Sequence, residues 1–227
     1  MTARAAALPA MHTLLFCTAY ADSPQRWDSR YRKWLDYFSR SRLAKDQILM
    51  IDDGSTSLPA WRGVRVLHQL PQERPPEKAV VYHFPRNLGR SGMLDYPGWF
   101  RSFAFAASYA RTYGFSKIVH VESDCYLYSD RMVQFVNALS AGWTTFWCES
   151  QGFPETCIQV ICADQLDAYL KLAGMDYATQ LANRPIENLL PFTDVRKDFI
   201  GDRYGEFARW VPEEADYGCQ IPDEWPS

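Results

Sequence analysis

Apolar and polar positions along this chain alternate between two periods. His12–Tyr20 (HTLLFCTAY) is a short apolar run with the length and make-up of a buried strand. Pro24–Arg42 then places Trp27, Tyr31, Trp34, Leu35 and Phe38 at helical spacing, which predicts an amphipathic helix. Gln47–Ile51 (QILMI) predicts a second buried strand, ending abruptly in Asp52-Asp53-Gly54-Ser55. A third strand is expected over Lys78–Phe84, stopping at Pro85. Tyr96–Tyr113 predicts a helix opened by Pro97 and closed by Gly114, and Lys117–Val121 a fourth strand running into Glu122-Ser123-Asp124.

Strands and helices in alternation, joined by short connections, predict βαβ units: an α/β fold with a mostly parallel central sheet and helices on both faces. Beyond residue 130 the pattern continues with a helix over Asp130–Leu139, strands over Thr144–Trp147 and Cys157–Cys162, and a helix over Asp164–Leu172. From Gly174 onward, Pro185, Pro191, Gly201, Gly205, Pro212, Gly218, Pro222 and Pro226 break both periods. The C-terminal third is therefore expected to be irregular and to fold over the sheet edge. No Gly-, Ser- or Pro-rich linker divides the chain, so the reading is a flexible tail over 1–11 and one domain over 12–227.

Composition narrows the function. A chain of 227 residues with 47% hydrophobic and 22% charged residues is neither disordered nor fibrous. A net charge of −3 argues against a dedicated nucleic-acid binder. No run reaches the roughly 18 apolar residues that cross a bilayer. The N-terminus imitates a signal peptide, but Pro9 and His12 interrupt its apolar stretch, so a cytoplasmic protein is expected. The six cysteines form no C-x-x-C pair and mostly sit inside apolar runs; they read as buried reduced thiols, not as a disulfide frame or a zinc site.

Parallel sheets bind ligands at the carboxyl ends of their strands. Acidic clusters stand just past two such ends, at residues 52–55 and 122–124. Asp52 and Asp53 can accept hydrogen bonds from a uracil N–H or from ribose hydroxyls. Glu122 and Asp124, two apart on a strand end, share a face and suit a hard cation that prefers oxygen ligands.

Ile48–Thr56 (ILMIDDGST), Arg86–Gly89 (RNLG) and Ile118–Asp124 (IVHVESD) resemble, in order, the signatures of GT-A-fold glycosyltransferases, most closely those of family 2. The resemblance covers residues 12–130, the expected nucleotide-binding half, and thins over the acceptor half beyond. It implies a GT-A (Rossmann-like) fold and transfer of a sugar from a nucleotide-diphosphate donor, UDP-type favoured, to a glycan or lipid-linked acceptor. Inversion and a Mn²⁺ or Mg²⁺ cofactor are implied as well. The base would meet Thr18 and Tyr20, and the nucleoside Asp52 and Asp53. Asn87 and Arg101, with Arg86 and Arg90 nearby, would meet phosphate, or Arg101 would pair with Asp124; Glu122 and Ser123 would line the donor site. Asp124 would hold the metal, with Glu122 as a second ligand or a ribose contact. All four histidines precede Glu122, so none follows the motif as a late ligand.

Inverting transfer needs a base to deprotonate the acceptor hydroxyl. The candidates are Glu149, Glu187 and Asp202, with Glu187 favoured for its apolar setting in RPIEN. Gly201–Glu206 is a Gly-bracketed polar loop suited to closing on the diphosphate. Arg26–Lys45 holds seven basic and two acidic residues, whereas 206–227 holds six acidic and one basic. With Trp27 and Trp34, the basic helix could rest on an anionic membrane carrying a lipid-linked acceptor. Two rivals stand beside this reading. A nucleotidyltransferase would want a Gly-rich loop after the first strand, but Thr18–Asp22 has no glycine. A non-catalytic GT-A-like carbohydrate- or partner-binding module would fit the departure of E-S-D from D-x-D.

Overall fold

The computed structural model describes residues 11–92, 94–180, 182–207 and 209–225, so the expected tail over 1–11 lies, apart from Met11, outside them. Eleven strands are found among the described residues: β1 (Thr13–Ala19), β2 (Gln47–Asp52), β3 (Val64–Leu67), β4 (Ala79–His83), β5 (Lys117–Val121), β6 (Tyr126–Leu127), β7 (Trp143–Cys148), β8 (Phe153–Cys162), β9 (Asp194–Arg196), β10 (Gly201–Asp202) and β11 (Tyr217–Gly218). The first helical stretch is α1 (Pro24–Arg26), a π turn over Trp27–Arg32 and α2 (Lys33–Arg40); α3 (Pro97–Tyr113), α4 (Asp130–Ala138), α5 (Leu166–Ala173) and α6 (Tyr177–Gln180) follow.

The main sheet runs β3-β4-β2-β1-β5-β8-β7-β9. Its first five strands are mutually parallel, β8 is antiparallel to β5 and β7, and β9 returns parallel to β7. β1 is buried on every residue because alternate side chains feed two separate layers. Leu14 and Phe16 pack with α3 and α5, whereas Leu15 and Cys17 pack with the first helical stretch and α4. Helices therefore cover both faces, as the alternating pattern implies.

The C-terminal third is more ordered than its prolines and glycines suggest. β9 extends the main sheet, and β10-β11-β6 forms a second small sheet beside the end of β5. These strands are two or three residues long, too short for any period to register. β3 escapes prediction for the same reason, since VRVL alternates over only four residues.

The basic helix turns its aromatic side inward while Arg26, Arg40 and Arg42 stay exposed. Trp27 and Trp34 are buried in the core, which removes the apolar anchors a membrane contact would need. Its charges instead meet the acidic C-terminus: Arg26 and Arg30 pair with Asp223, and Lys33 donates to the carbonyls of Asp223 and Trp225. No helix among the described residues is long and apolar enough to cross a membrane.

One buried cation fixes the layer under α4. Lys117, on β5, donates through Nζ to the carbonyls of Val136, Asn137 and Leu139, capping the helix where its last carbonyls lack partners. Lys117→Met is expected to destabilise the protein by about 1–3 kcal/mol, because the capped carbonyls stay buried and unmet. Urea unfolding reads this as a lowered midpoint at unchanged slope.

Candidate active site

The carboxyl ends of β1, β2 and β5 open into a cleft of about 850 Å³. Its walls bring together Thr18, Tyr20, Asp53, Asn87, Glu122, Ser123, Asp124 and Glu187, residues spread over more than 160 positions of sequence. Arg30, Trp99 and Arg203 complete the lining that concerns the chemistry.

Asp53 follows the end of β2 and organises the wall opposite β5. Its Oδ2 accepts from Asn87 Nδ2 at 2.9 Å, Leu88 N at 3.1 Å and Gly89 N at 2.8 Å, while Oδ1 accepts from Arg101. Two glycines permit this close approach. A Cβ on Gly54, at φ +79°, would overlap the backbone of Arg86 and Asn87, and one on Gly98 would overlap the Asp53 carboxylate. The D-D-G-S and N-L-G motifs are thus two sides of one contact.

Asp52 stands elsewhere. It is fully buried, accepts from the Ser55 hydroxyl and N–H, and lies 2.6 Å from His83 Nδ1, so it does not reach the cleft. Burial pushes its carboxyl up against the pull of Ser55 and His83. Arg101 departs from expectation too. It lies over the Phe84 ring at 4.0 Å, bonds Asp53 and the Arg86 carbonyl, and faces a smaller groove of about 330 Å³ instead of a phosphate or Asp124.

Glu122 is held by protein donors. Oε1 accepts from Thr18 at 3.0 Å, from Trp99 Nε1 and from His120 Nε2 at 3.1 Å, and Oε2 accepts from Thr18 at 2.9 Å. Burial alone would push its carboxyl up; His120, with the hydrogen bonds from His120, Trp99 and Thr18, outweighs burial and holds it low. Glu122 Oε1 is thus taken up by protein donors, whereas Oε2 meets Thr18 alone.

Asp124 differs. Its charged partner is Arg30, at 3.4 Å, while burial raises its carboxyl to about 6 and the nearby Glu122 adds to the rise. A buried, incompletely compensated carboxylate in an oxygen-lined cleft suits a hard divalent cation. Asp124 fits that role.

The three candidate bases separate by position. Glu187, on a short 3₁₀ turn over Ile186–Asn188, lines the cleft, and its Oε1 lies 3.5 Å from Arg203. Glu149 is exposed and outside the cleft lining. Asp202 is engaged by Ser150, Cys148 and the Arg203 N–H, also outside it. Tyr20 is half-exposed at the rim, its backbone clamped by the Tyr31 hydroxyl, which accepts from Tyr20 N at 2.8 Å and donates to its carbonyl at 2.9 Å.

With 10% identity, the chain superposes on the crystal structure of a glycosyltransferase involved in the glycosylation of the major capsid of PBCV-1, at a TM-score of 0.50 over 93% of this chain and 94% of that one. The fold is GT-A-like, a mixed α/β, Rossmann-like architecture. A structure described as a nucleotide-diphospho-sugar transferase, from Desulfovibrio desulfuricans G20, matches at a TM-score of 0.41 and 13% identity, over 75% of this chain and 71% of its own. No protein-family model and no curated protein sequence matches the chain.

Within this GT-A-like fold, sequence reasoning missed Trp99, His120, Arg30 and Arg203. His120 had a signal, because it stands two residues before Glu122 on one strand and so shares its face. Arg203 lies in the Gly201–Glu206 segment expected beside the diphosphate, although the residue itself was not singled out, and Arg30 reaches the cleft only through tertiary packing.

Asp124 gives the unliganded protein a distinctive pH response. Its folded value of about 6 lies above the ordinary carboxylate range of about 3.9, so the folded state holds the proton more tightly than the unfolded state. Its contribution to stability is full below about pH 4, falls as pH rises to about 6, and levels off above, a loss on the order of 3 kcal/mol. Asp124→Asn is expected to flatten this stretch and to be the more stable form at pH 8. Urea midpoints for both proteins between pH 4 and 8 check it; parallel curves would refute the shift.

Proposed function

We propose that the chain is a glycosyltransferase that takes a UDP-type nucleotide-diphosphate sugar and passes the sugar, with inversion, to a hydroxyl of a glycan or lipid-linked acceptor. The convergence of Asp53, Glu122, Asp124 and Glu187 on one cleft at the carboxyl ends of parallel strands carries this reading. The ordered resemblance of the D-D-G-S, N-L-G and E-S-D elements supports the donor class, and the family 2 resemblance supports inversion.

Each residue has work in this scheme. Thr18 and Tyr20 form the wall against which the base lies, and Asp53 holds the 87–89 turn that closes over the nucleoside. Asn87 already donates both its Nδ2 bonds to Asp53, so it shapes the turn more than it contacts ligand. The Glu122 carboxylate, Trp99 and His120 keep the floor rigid. Mn²⁺ or Mg²⁺ held by Asp124 and by diphosphate oxygens would supply Lewis-acid stabilisation of the leaving group.

Glu187 is placed to accept the acceptor hydroxyl's proton. As that oxygen bonds to the anomeric carbon, the bond from that carbon to the diphosphate oxygen breaks and leaves a nucleoside diphosphate. Arg30 and Arg203, both in the cleft lining, put fixed positive charge beside the site of this build-up. Arg203 also orients Glu187, while its main partner is the buried Glu155, through bonds of 2.7 and 3.1 Å.

Two measurements test the scheme. Calorimetry with UDP and Mn²⁺ is expected to show metal-dependent binding in the native protein and at least tenfold weaker binding in Asp124→Asn; equal affinities would remove the metal role. Glu187→Gln keeps shape while removing the proton acceptor, so transfer, or donor hydrolysis as its proxy, is expected to fall about 10²–10⁴-fold. UDP affinity should stay within a few-fold, and joint loss of binding and turnover would make Glu187 structural. A carbohydrate-binding module would bind without hydrolysing any donor.

A further inference from the structure

Behind the cleft floor, three cysteines and one glutamate from distant parts of the chain converge. β8 supplies Glu155 and Cys157, the residue after β11 is Cys219, and the turn between β5 and β6 supplies Cys125. The ligand atoms of Glu155, Cys157 and Cys219 all lie within 4.8 Å of one another, and Cys125 Sγ lies 3.0 Å from Cys219 Sγ. All four side chains are buried. Thiolates around a tetrahedral zinc, at Zn–S of about 2.3 Å, stand roughly 3.8 Å apart, so Glu155, Cys157 and Cys219 have the span of such a site, with Cys125 beside Cys219 at its edge.

We propose that Cys157, Cys219 and Glu155 bind a divalent cation of the zinc class, which ties the C-terminal segment to the catalytic strand ends.

A distortion of β8 creates the cluster. The β7–β8 register jumps from Thr145–Gln159 to Phe146–Glu155, so residues 156–158 bulge out of that ladder. Bulges re-aim side chains, and this one turns Glu155 and Cys157 toward Cys219. Glu155 is fixed before any cation arrives, since Oε1 accepts from Cys157 N at 3.0 Å and Arg203 bonds both its oxygens. Cys157 lines the cleft and gives a route in from solvent. Each ligating thiol would give up its proton to solvent as the bond to the cation forms. Thiolates prefer zinc to Mn²⁺ or Mg²⁺, which separates this site chemically from Asp124.

The segment so tied is the one that matters to the cleft. Cys219 is followed by Gln220, a cleft residue, and by Ile221, whose N–H bonds the Asp124 carbonyl at 2.9 Å. The sequence hides the site because its cysteines lie at 157 and 219, with none of the close pairs that announce zinc.

The test uses the full chain, stripped with chelator under reducing conditions and reloaded with Zn²⁺ or Co²⁺. Retained zinc near one per chain is expected after desalting, and about tenfold less or lower in Cys157→Ser and Cys219→Ser. Asp124→Asn should retain the full amount. Cobalt should give the strong near-ultraviolet sulfur-to-metal absorption that carboxylate ligands do not produce. In the native chain, which needs no variant to fold, zinc should protect at least two thiols from alkylation. Weak, easily exchanged zinc with no such absorption overturns the proposal, and so does a Cys125–Cys219 disulfide found by mass in freshly purified protein.

Discussion

The Asp53 carboxylate holds the cleft together. It sits where β2 ends, and with four donors it draws in the 87–89 turn and the first turns of α3. Those two pieces carry the rest of the wall, because Trp99 on α3 then reaches Glu122 at the end of β5. A chain of charge-assisted bonds therefore links the ends of β2 and β5, and β1 between them adds Thr18 to the same network. Such bonds are roughly twice as strong as neutral ones, which suits an open cleft that no apolar packing can brace. The close approach explains why glycine stands at 54 and 98.

The first half of this architecture was readable because long, fully buried strands and strongly amphipathic helices leave periodic traces. Gln47–Ile51, Lys117–Val121 and Tyr96–Tyr113 lie within a residue of the observed elements. The strand-end rule then led from Asp53, Glu122 and Asp124 to the cleft. It could not separate Asp52 from Asp53, since adjacent strand residues face opposite ways and only the register decides which one meets the ligand. Arg101 misled for a related reason: a helix-start arginine aims at whichever carboxylate comes first, and here that is Asp53.

The C-terminal third was illegible because its order is tertiary. β10 and β11 are two-residue strands held by partners far away in sequence, among them β6. The charge asymmetry between 26–45 and 206–227 was a true signal assigned to the wrong surface. Its complementary halves meet each other through Arg26, Arg30 and Asp223. By that contact the acidic tail closes one side of the cleft and sets Arg30 beside Asp124.

Hydrogen exchange with and without UDP and Mn²⁺ tests most directly that this cleft, and no other surface, receives a nucleotide. The account predicts added protection at residues 18–20, 87–91 and 122–124 together, because one ligand must touch the ends of β1 and β5 and the turn held by Asp53. It predicts little change in the groove lined by Phe84, Phe100 and Phe105. Protection confined to that groove, or none at those three segments, would contradict it.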